Sequence, residues 1–351
     1  MTQLTTLGYI LSALLMLGVL IMAHEAGHFW VARRCGIEVK EFAIGMGPKV
    51  WSRKGKRGTL FSLRALPLGG FCLYYGEDQE MEDPRAYNNQ RVWKRFLSVL
   101  AGPAMNFLLA LTLAVAAAMI WGTRSGEHSV YELTPGMPAM EAGIEPGDVL
   151  LAIDGLGIAG DEAVSALIRN SGGRTLEFLV RREGGTLALP VTPVLSESSG
   201  VYQVGFVYGK TWLEHPPLGL ALANSVLDCK DAVALTYRAF ADLLFRGQGA
   251  EELSGPVGIV NVIQQETRAG GLPVYLKLAM LISINLGFMN LLPIPGLDGS
   301  RLIFHIVETV RRKPVNRNVE GFIHLIGVVA LLGVMLLFTY KDILRIFLKP
   351  E

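Results

Sequence analysis

His24, Glu25 and His28 stand together in the stretch IMAHEAGHFW, residues 21–30, at the end of an apolar run that carries no charge from residue 4 to residue 21. On a helix, His24 and His28 are four residues apart and share a face one turn apart, the spacing by which two imidazoles grip one Zn²⁺. Glu25 falls beside that face, close enough to take a proton from a water on the metal without being a ligand. Ionisable groups at membrane depth are costly, so the cluster is read as functional.

Two imidazoles and a water leave a tetrahedral zinc one protein ligand short. The missing ligand should be His, Asp or Glu at similar depth in another span. Asp298, in NLLPIPGLDG (residues 290–299), is the best placed, with His305, Glu308 and His324 as competitors. Pro293, Pro295, Gly296 and Gly299 crowd this segment. A helix must break there, and unwound backbone at membrane depth is tolerated only where it is buried in protein or lines a wet cavity.

The elements that must carry these residues are apolar. Four stretches are long enough to span a bilayer: 4–32, 96–121, 272–292 and 322–338, the last running on towards residue 348. The first is too long, and too polar at its end, for a cleaved signal peptide and lacks a basic start, so it is expected to stay in the mature protein. Hydrophobic residues make up 51% of the chain and charged ones 18%. That is too apolar for an ordinary soluble domain and too charged for spans alone, so at least one water-soluble domain is expected. A net charge of +1 offers no basic field for nucleic acid. The three cysteines, Cys35, Cys72 and Cys229, lack metal-type spacing.

Residues 31–95 carry thirteen Lys and Arg, and Arg311, Arg312, Lys313 and Arg317 follow the third span. Residues 122–271 carry ten basic and eighteen acidic residues over a much longer stretch. The positive-inside rule then puts both termini outside and the two basic loops, with the end of the first span, in the cytoplasm. Lys341, Arg345 and Lys349 point the other way.

These residues carry a family resemblance. The stretches HEAGHFWVARRCGIEVKEFAIGMGP (24–48), LPLGGF (66–71), AGPAMN (101–106), LSGPVGI (253–259) and SINLGFMNLLPIPGLDGSRL (283–302) run nearly end to end. Together they make the chain similar to a bacterial site-2 protease, an intramembrane zinc metalloprotease. Ser300 departs from the second glycine that many relatives carry after Asp-Gly, and the exported region has room for one PDZ domain where some members have two. PGMPAMEAGIEPGDVLLAIDG, residues 135–155, independently resembles bacterial PDZ domains. A helix at 161–169 and β-rich stretches at 175–181 and 186–191 complete that domain. It either binds peptide as an added strand or sieves out bulky substrates.

The fold expected is a polytopic α-helical membrane protein with four transmembrane helices, a membrane-associated β-hairpin and one extracytoplasmic α+β PDZ domain. Residues 1–32 form the first transmembrane helix, with the HExxH, and 33–95 a cytoplasmic loop with a membrane-dipping hairpin. The second helix takes 96–122, the PDZ domain 125–195, and a linker with amphipathic helices 196–271. The third helix, with the Leu-Asp-Gly motif, takes 272–300, a cytoplasmic loop 301–319 and the fourth helix 320–348. The hairpin is sought within 58–76, glycine-interrupted and apolar, whose free edge would pair with an unwound substrate; packing on the cytoplasmic side is the alternative. A helix over 216–246 is read as interfacial.

The resemblance implies zinc as cofactor, held by His24, His28 and Asp298, with Glu25 as the general base. It places Asn285 and Asn290 beside the metal, where they hold substrate or the reacting carbonyl, Asn290 stabilising the oxyanion. Pro293 and Pro295 in the broken helix and Gly69 and Gly70 in the hairpin complete the candidate substrate-binding set. Asn106 is read as a structural amide needing partners inside the bilayer. The implied substrates are single-span proteins, anti-sigma factors or signal-peptide remnants, first cut outside by a site-1-type protease. The implied location is the bacterial cytoplasmic membrane. A non-proteolytic PDZ scaffold or metal carrier is the rival; Glu25 counts against it, because a carrier needs ligands but no base.

Overall fold

The computed structural model describes residues 2–77, 81–158, 161–196, 200–249 and 254–348. Leu253, which opens the LSGPVGI stretch, and Lys349 lie outside them. In chain order the elements begin with α1 (Thr2–Arg34), β1 (Val39–Lys54), β2 (Leu60–Tyr74), α2 (Val92–Trp121), β3 (Thr123–Leu133) and α3 (Pro138–Glu141). Next come β4 (Val149–Ile153), β5 (Leu156–Gly157), α4 (Asp161–Arg169), β6 (Leu176–Arg182), β7 (Gly185–Val191), β8 (Val194–Leu195), β9 (Tyr202–Gln203) and β10 (Phe206–Leu213). The chain ends with α5 (Leu218–Arg246), α6 (Pro256–Leu291), α7 (Asp298–Arg311) and α8 (Arg317–Leu348). Two compact units result: Met1–Ala117 with Ser225–Glu351, and Ala118–Asn224.

In the first unit, four helices among the described residues are long and apolar enough to cross a membrane: Leu7–Arg34, Val92–Trp121, Pro256–Leu291 and Asn318–Arg345. The third is two helical segments joined across a kink at Gly271, which takes a non-helical conformation, φ 65° and ψ −153°. The second segment starts at the expected residue 272, and a further helical segment from Pro256 precedes it. At its other end α6 stops at Leu291, and α7 starts at Asp298. The expected loop over 301–319 is therefore helix as far as Arg311, because the prolines end one helix and the next begins at once.

Between such helices lipid-like surroundings remove most of the hydrophobic drive, so small residues and polar ties set the packing. A Cβ on Gly27 would overlap the Ala101 carbonyl, so α1 and α2 cross almost backbone to backbone. The Tyr275 hydroxyl donates to the Ser12 carbonyl at 2.8 Å, tying α6 to α1 beside a packed cluster of Ala13, Met16, Leu20, Ile263 and Ala279. Asp342 of α8 is buried and accepts the Gly258 N–H at 2.7 Å, a carboxylate on the first turn of α6 where the helix dipole favours it. Along α8, Leu325, Val329 and Leu336 are exposed, a face suited to lipid.

The hairpin is larger than expected. Segment 58–76 does not fold on itself; it supplies β2, whose partner is β1. Glu41–Ile44 lie opposite Leu73–Gly70 and also opposite Leu60–Leu63, so the middle of β1 is flanked on both sides. The sequence of β1 carries little strand signal, because Gly45, Gly47 and a run of cations interrupt the alternation. The Glu41 carboxylate fixes the pairing, accepting from Ser62 Oγ at 2.7 Å and Arg64 at 2.8 Å and lying 3.2 Å from Lys49 Nζ. Met46, Val50, Trp51, Leu63 and Leu66 remain exposed on it.

The second unit is a sheet in the order β10-β3-β4-β6-β7, with β5 beside β4. Leu176, Phe178 and Val180 of β6 are buried in strict alternation and join Val130, Ile144, Ile153, Val164 and Val191 in one core. The sheet extends past residue 195, the expected end of the domain. Strand β10 pairs with β3, from Phe206 opposite Leu133 to Leu213 opposite Thr123, so part of the expected linker is the sheet's edge strand.

Candidate metal centre

Helix α1 presents His24 and His28 on one face, both buried, with rings edge-on at 84° and Nε2 atoms 3.1 Å apart. Helix α2 can lie against them because residue 102 is glycine. A Cβ there would overlap His28 Nε2 and stand 2.9 Å from His24 Cε1. The third corner comes from the first turn of α7: Asp298 Oδ2 is 3.0 Å from His24 Nε2 and 3.2 Å from His28 Nε2.

Whether these atoms fit a metal is decided by their lone pairs. His28 Nδ1 donates to the Ser98 carbonyl at 2.9 Å, which puts the proton on Nδ1 and leaves Nε2 bare. Asn106 of α2 lies 3.2 Å from His24 Nδ1, and its Oδ1 is buried without a hydrogen-bond partner. Turning the amide over, which exchanges oxygen and nitrogen in the same volume, lets Oδ1 accept Nδ1–H and bares His24 Nε2 as well. Asp298 Oδ2 is buried and no donor meets it. Three lone pairs then face one another across 3.0–3.2 Å. Zinc bonds of about 2.0 Å in a tetrahedron separate ligand atoms by about 3.3 Å, so the triangle has the dimensions of one zinc face. Among the described residues this is the group of His, Cys, Asp and Glu side chains assembled for a metal.

The triangle opens on a cavity of about 420 Å³ lined by Glu25, Cys72, Asn290, Asp298, Arg301 and His324 among others. Residues 71–74 of β2 form one wall; among the described residues their one strand partner is β1, which leaves the strand's other edge towards the cavity. The Cys72 backbone N–H is directed at the Glu25 carboxylate. Two residues on, the Tyr74 N–H donates to Glu77 Oε2 at 3.3 Å, and Glu77 also pairs with Arg301. Gly70 sits against Glu25, whose Cγ would be 3.3 Å from a Cβ there.

The remaining candidates separate. Asn290 lines the cavity, with Nδ2 donating to the Leu286 carbonyl at 3.0 Å. Asn285 does not: its Oδ1 accepts from Thr236 Oγ of α5 at 2.6 Å. Five residues apart on a helix is a turn of about 140° around the axis, so the two asparagines face different neighbours. Pro293 and Pro295 lie in the turn between α6 and α7, outside the cavity lining, and Gly69, with φ 82°, packs against Met46. Of the competing ligands, His305 bonds Tyr87 at 2.8 Å, and burial, with Arg95 and Arg301 nearby, pushes its pKa down to about 3, so the ring stays neutral. Glu308 pairs with Arg95 at 2.7 Å. Ser98, Gly102 and Arg301 carried no signal along the chain, since each matters only through what folding places beside it.

The matching family model is Peptidase family M50, over residues 12–334. A protein of Clostridium perfringens is 36% identical over 96% of this chain and 98% of its own length, and one of Nostoc is 32% identical over 97% and 98%; both are named as putative zinc metalloproteases. The Regulator of sigma-W protease RasP of Bacillus subtilis is 29% identical over 97% of this chain and 99% of its own. A two-histidine, one-carboxylate site in a chain with four helices long and apolar enough to cross a membrane, matched to this family and to these relatives, is that of a zinc metalloprotease. The chain belongs to peptidase family M50, the site-2 proteases, and its cofactor is zinc.

Proposed function

We propose that the chain is a zinc-dependent intramembrane endopeptidase that cuts single-span membrane proteins. The observation that carries this reading is the buried triangle of His24, His28 and Asp298, with Glu25 on the wall of the same cavity, at the end of a helix fit to span a bilayer. His24, His28 and Asp298 hold the zinc. When bound, zinc polarises the scissile carbonyl and brings the pKa of water towards neutrality. Glu25 takes the attacking water's proton and delivers it to the leaving amine. A transmembrane substrate must first unwind. The edge of β2 at residues 71–74, which has no strand partner on the cavity side among the described residues, lies where that backbone would pair once it takes the place of the Glu25 and Glu77 contacts to the Cys72 and Tyr74 N–H groups. Asn290 and Gly70 border that path; Asn285 leaves the substrate-binding set, because Thr236 engages its amide.

The basic loops orient the site to the cytoplasmic side of a bacterial cytoplasmic membrane, with both termini outside. The Ala118–Asn224 unit is read as an extracytoplasmic PDZ domain from its Ala-Gly-Ile, Pro-Gly-Asp and Ile-Asp-Gly pattern. The name of the Bacillus subtilis relative supports anti-sigma factors as substrates, with signal-peptide remnants as the second class, each after a first cut by a site-1-type protease. The test is purified protein with a panel of single-span peptides, with and without a zinc chelator. Cleavage that the chelator abolishes is expected; intact peptides in both arms overturn the reading. Deleting 127–192 tells sieve from recruiter. A sieve then admits untrimmed substrates, whereas a recruiter loses trimmed ones through a higher KM.

A further inference from the structure

Among the described residues, three buried polar atoms without a hydrogen-bond partner belong to side chains around the metal triangle: Asn106 Oδ1, Asp298 Oδ2 and His324 Nε2. The first is met by turning the amide towards His24, and the second by the metal. The third belongs to a residue that is not a ligand. His324 lies on α8, and its ring lines the cavity with His24, Glu25, His28, Asn290 and Asp298.

Its proton can be assigned. The Gly296 backbone N–H donates to His324 Nδ1 at 3.3 Å, and an N–H can only donate, so Nδ1 carries the lone pair. In the neutral ring the hydrogen is then on Nε2, which is a donor. The ring is also held in place. Phe304 packs against it edge-on, with centroids 5.8 Å apart. A Cβ on Gly327 would overlap the Pro295 carbonyl, and one on Gly296 would fall 3.0 Å from Val328 N, so α8 is fitted closely onto the turn that bears Gly296. Most of α8 turns apolar side chains outwards, and His324 is the imidazole it turns to the site.

A buried donor left unpaired is destabilising and rare in native proteins, so an acceptor from outside the chain is called for. Of the other donors on the wall, Arg301 gives its Nη1 to Glu77 and Asn290 gives an N–H to the Leu286 carbonyl, whereas His324 Nε2 is buried with no hydrogen-bond partner among the described residues. An acceptor arriving in this cavity beside Glu25 is a carbonyl of the peptide to be cut. We propose that His324 is a catalytic residue: Nε2–H donates a hydrogen bond to the scissile carbonyl oxygen and stabilises the charge that develops on it. The proton stays on Nε2 throughout. The inference rests on the protease reading and adds to it a role that the sequence does not assign to His324.

Loss of one such donor typically costs about 10²–10³ in kcat. H324F keeps an aromatic ring and removes the donor; H324Q puts an amide N–H near the same reach while its oxygen points elsewhere. Zinc content, kcat and KM are measured for both on a peptide that the wild type cuts, together with inhibition by a phosphinic peptide of the same sequence, whose tetrahedral oxygens mimic the charged carbonyl. The expected result is full zinc in both, kcat about 10²-fold lower in H324F with KM nearly unchanged, phosphinate inhibition weakened in parallel, and partial recovery in H324Q. Should H324F fail to fold, H324A against H324Q makes the same comparison. Wild-type kcat in the donor-less variant, or loss of zinc from it, overturns the assignment. A wild type that cuts no peptide overturns the protease reading itself, and this inference with it.

Discussion

Two aspartates, one in each unit, hold carboxylate oxygens away from solvent, and the two are treated differently. In the Ala118–Asn224 unit, Asp148 has only 1% of its side chain exposed, and every oxygen is met: Oδ1 by Arg182 Nε at 2.7 Å, Oδ2 by Arg182 Nη2 at 2.7 Å and by the Glu145 N–H at 2.9 Å. In the helical unit, Asp298 Oδ2 faces two imidazole nitrogens at 3.0 and 3.2 Å with no donor of its own. The first carboxylate is complete within the protein; the second is complete only with a cation. Burial alone therefore does not tell a structural charge from a working one, whereas the tally of its partners does.

Exchanging the two tests that difference hardest. Asp298→Ala should abolish both zinc binding and cleavage while the Ala118–Asn224 sheet stays folded. Asp148→Asn should leave zinc content unchanged and weaken that sheet by about 1.5–3 kcal/mol, the range for hydrogen bonds to charged groups. Metal analysis and hydrogen exchange on β6 and β7 read the two outcomes. If Asp298→Ala keeps its zinc, the triangle is not the metal site.

Glu25→Gln comes next in size. Its ligands intact, the variant should bind zinc as the wild type does and lose about 10²–10⁴ in kcat, the usual contribution of a positioned acid–base group. Near-normal turnover would remove Glu25 from the chemistry.

The His pair and its base could be read along the chain because a single helix carries them, and i, i+4 spacing is a local property. Asp298 could be read because prolines and glycines mark a broken helix around it. What sequence could not supply is what packs across elements. Gly102 is an ordinary span glycine until α2 meets α1, and Ser98 matters only through a backbone carbonyl that any residue would offer. Asn285 looked equivalent to Asn290 because both are amides in one span; helical phase separates them. His324 looked like a spare ligand and became a donor only once Gly296 fixed its tautomer. In the sheet, alternation in β6 was plain, but β1 was hidden by glycines and cations and recovers its meaning from β2.

Asn106 sharpens the contrast at a finer level, because it completes a ligand without touching the metal. Asn106→Ala should weaken zinc affinity about 10–100-fold, the usual cost of losing a partner behind a ligand. Competition with a graded chelator measures it. Asn106→Asp, whose carboxylate can still accept His24 Nδ1–H, should recover most of the loss. Equal affinities in all three proteins would leave Asn106 as a packing residue.

The smallest effect concerns Asp148 and pH. Burial opposes its ionised form, but the Arg182 hydrogen bonds, the Glu145 N–H and the Arg182 charge outweigh burial and hold the carboxyl below its ordinary range. The ordinary value is about 3.9. Above that pH the carboxylate is ionised in the folded and unfolded states alike, and its stabilisation is fully present. As pH falls below it, the unfolded chain takes up its proton first, and the stabilisation declines until pH has passed through the lower, folded value. Hydrogen-exchange protection of β6 and β7 in the whole protein should therefore be flat from pH 8 to pH 5 on this account and fall on the acid side. Asp148→Asn should flatten that fall, since nothing titrates at position 148. An acid limb equally steep in both proteins would mean that other carboxylates, and not Asp148, set the acid stability of the sheet.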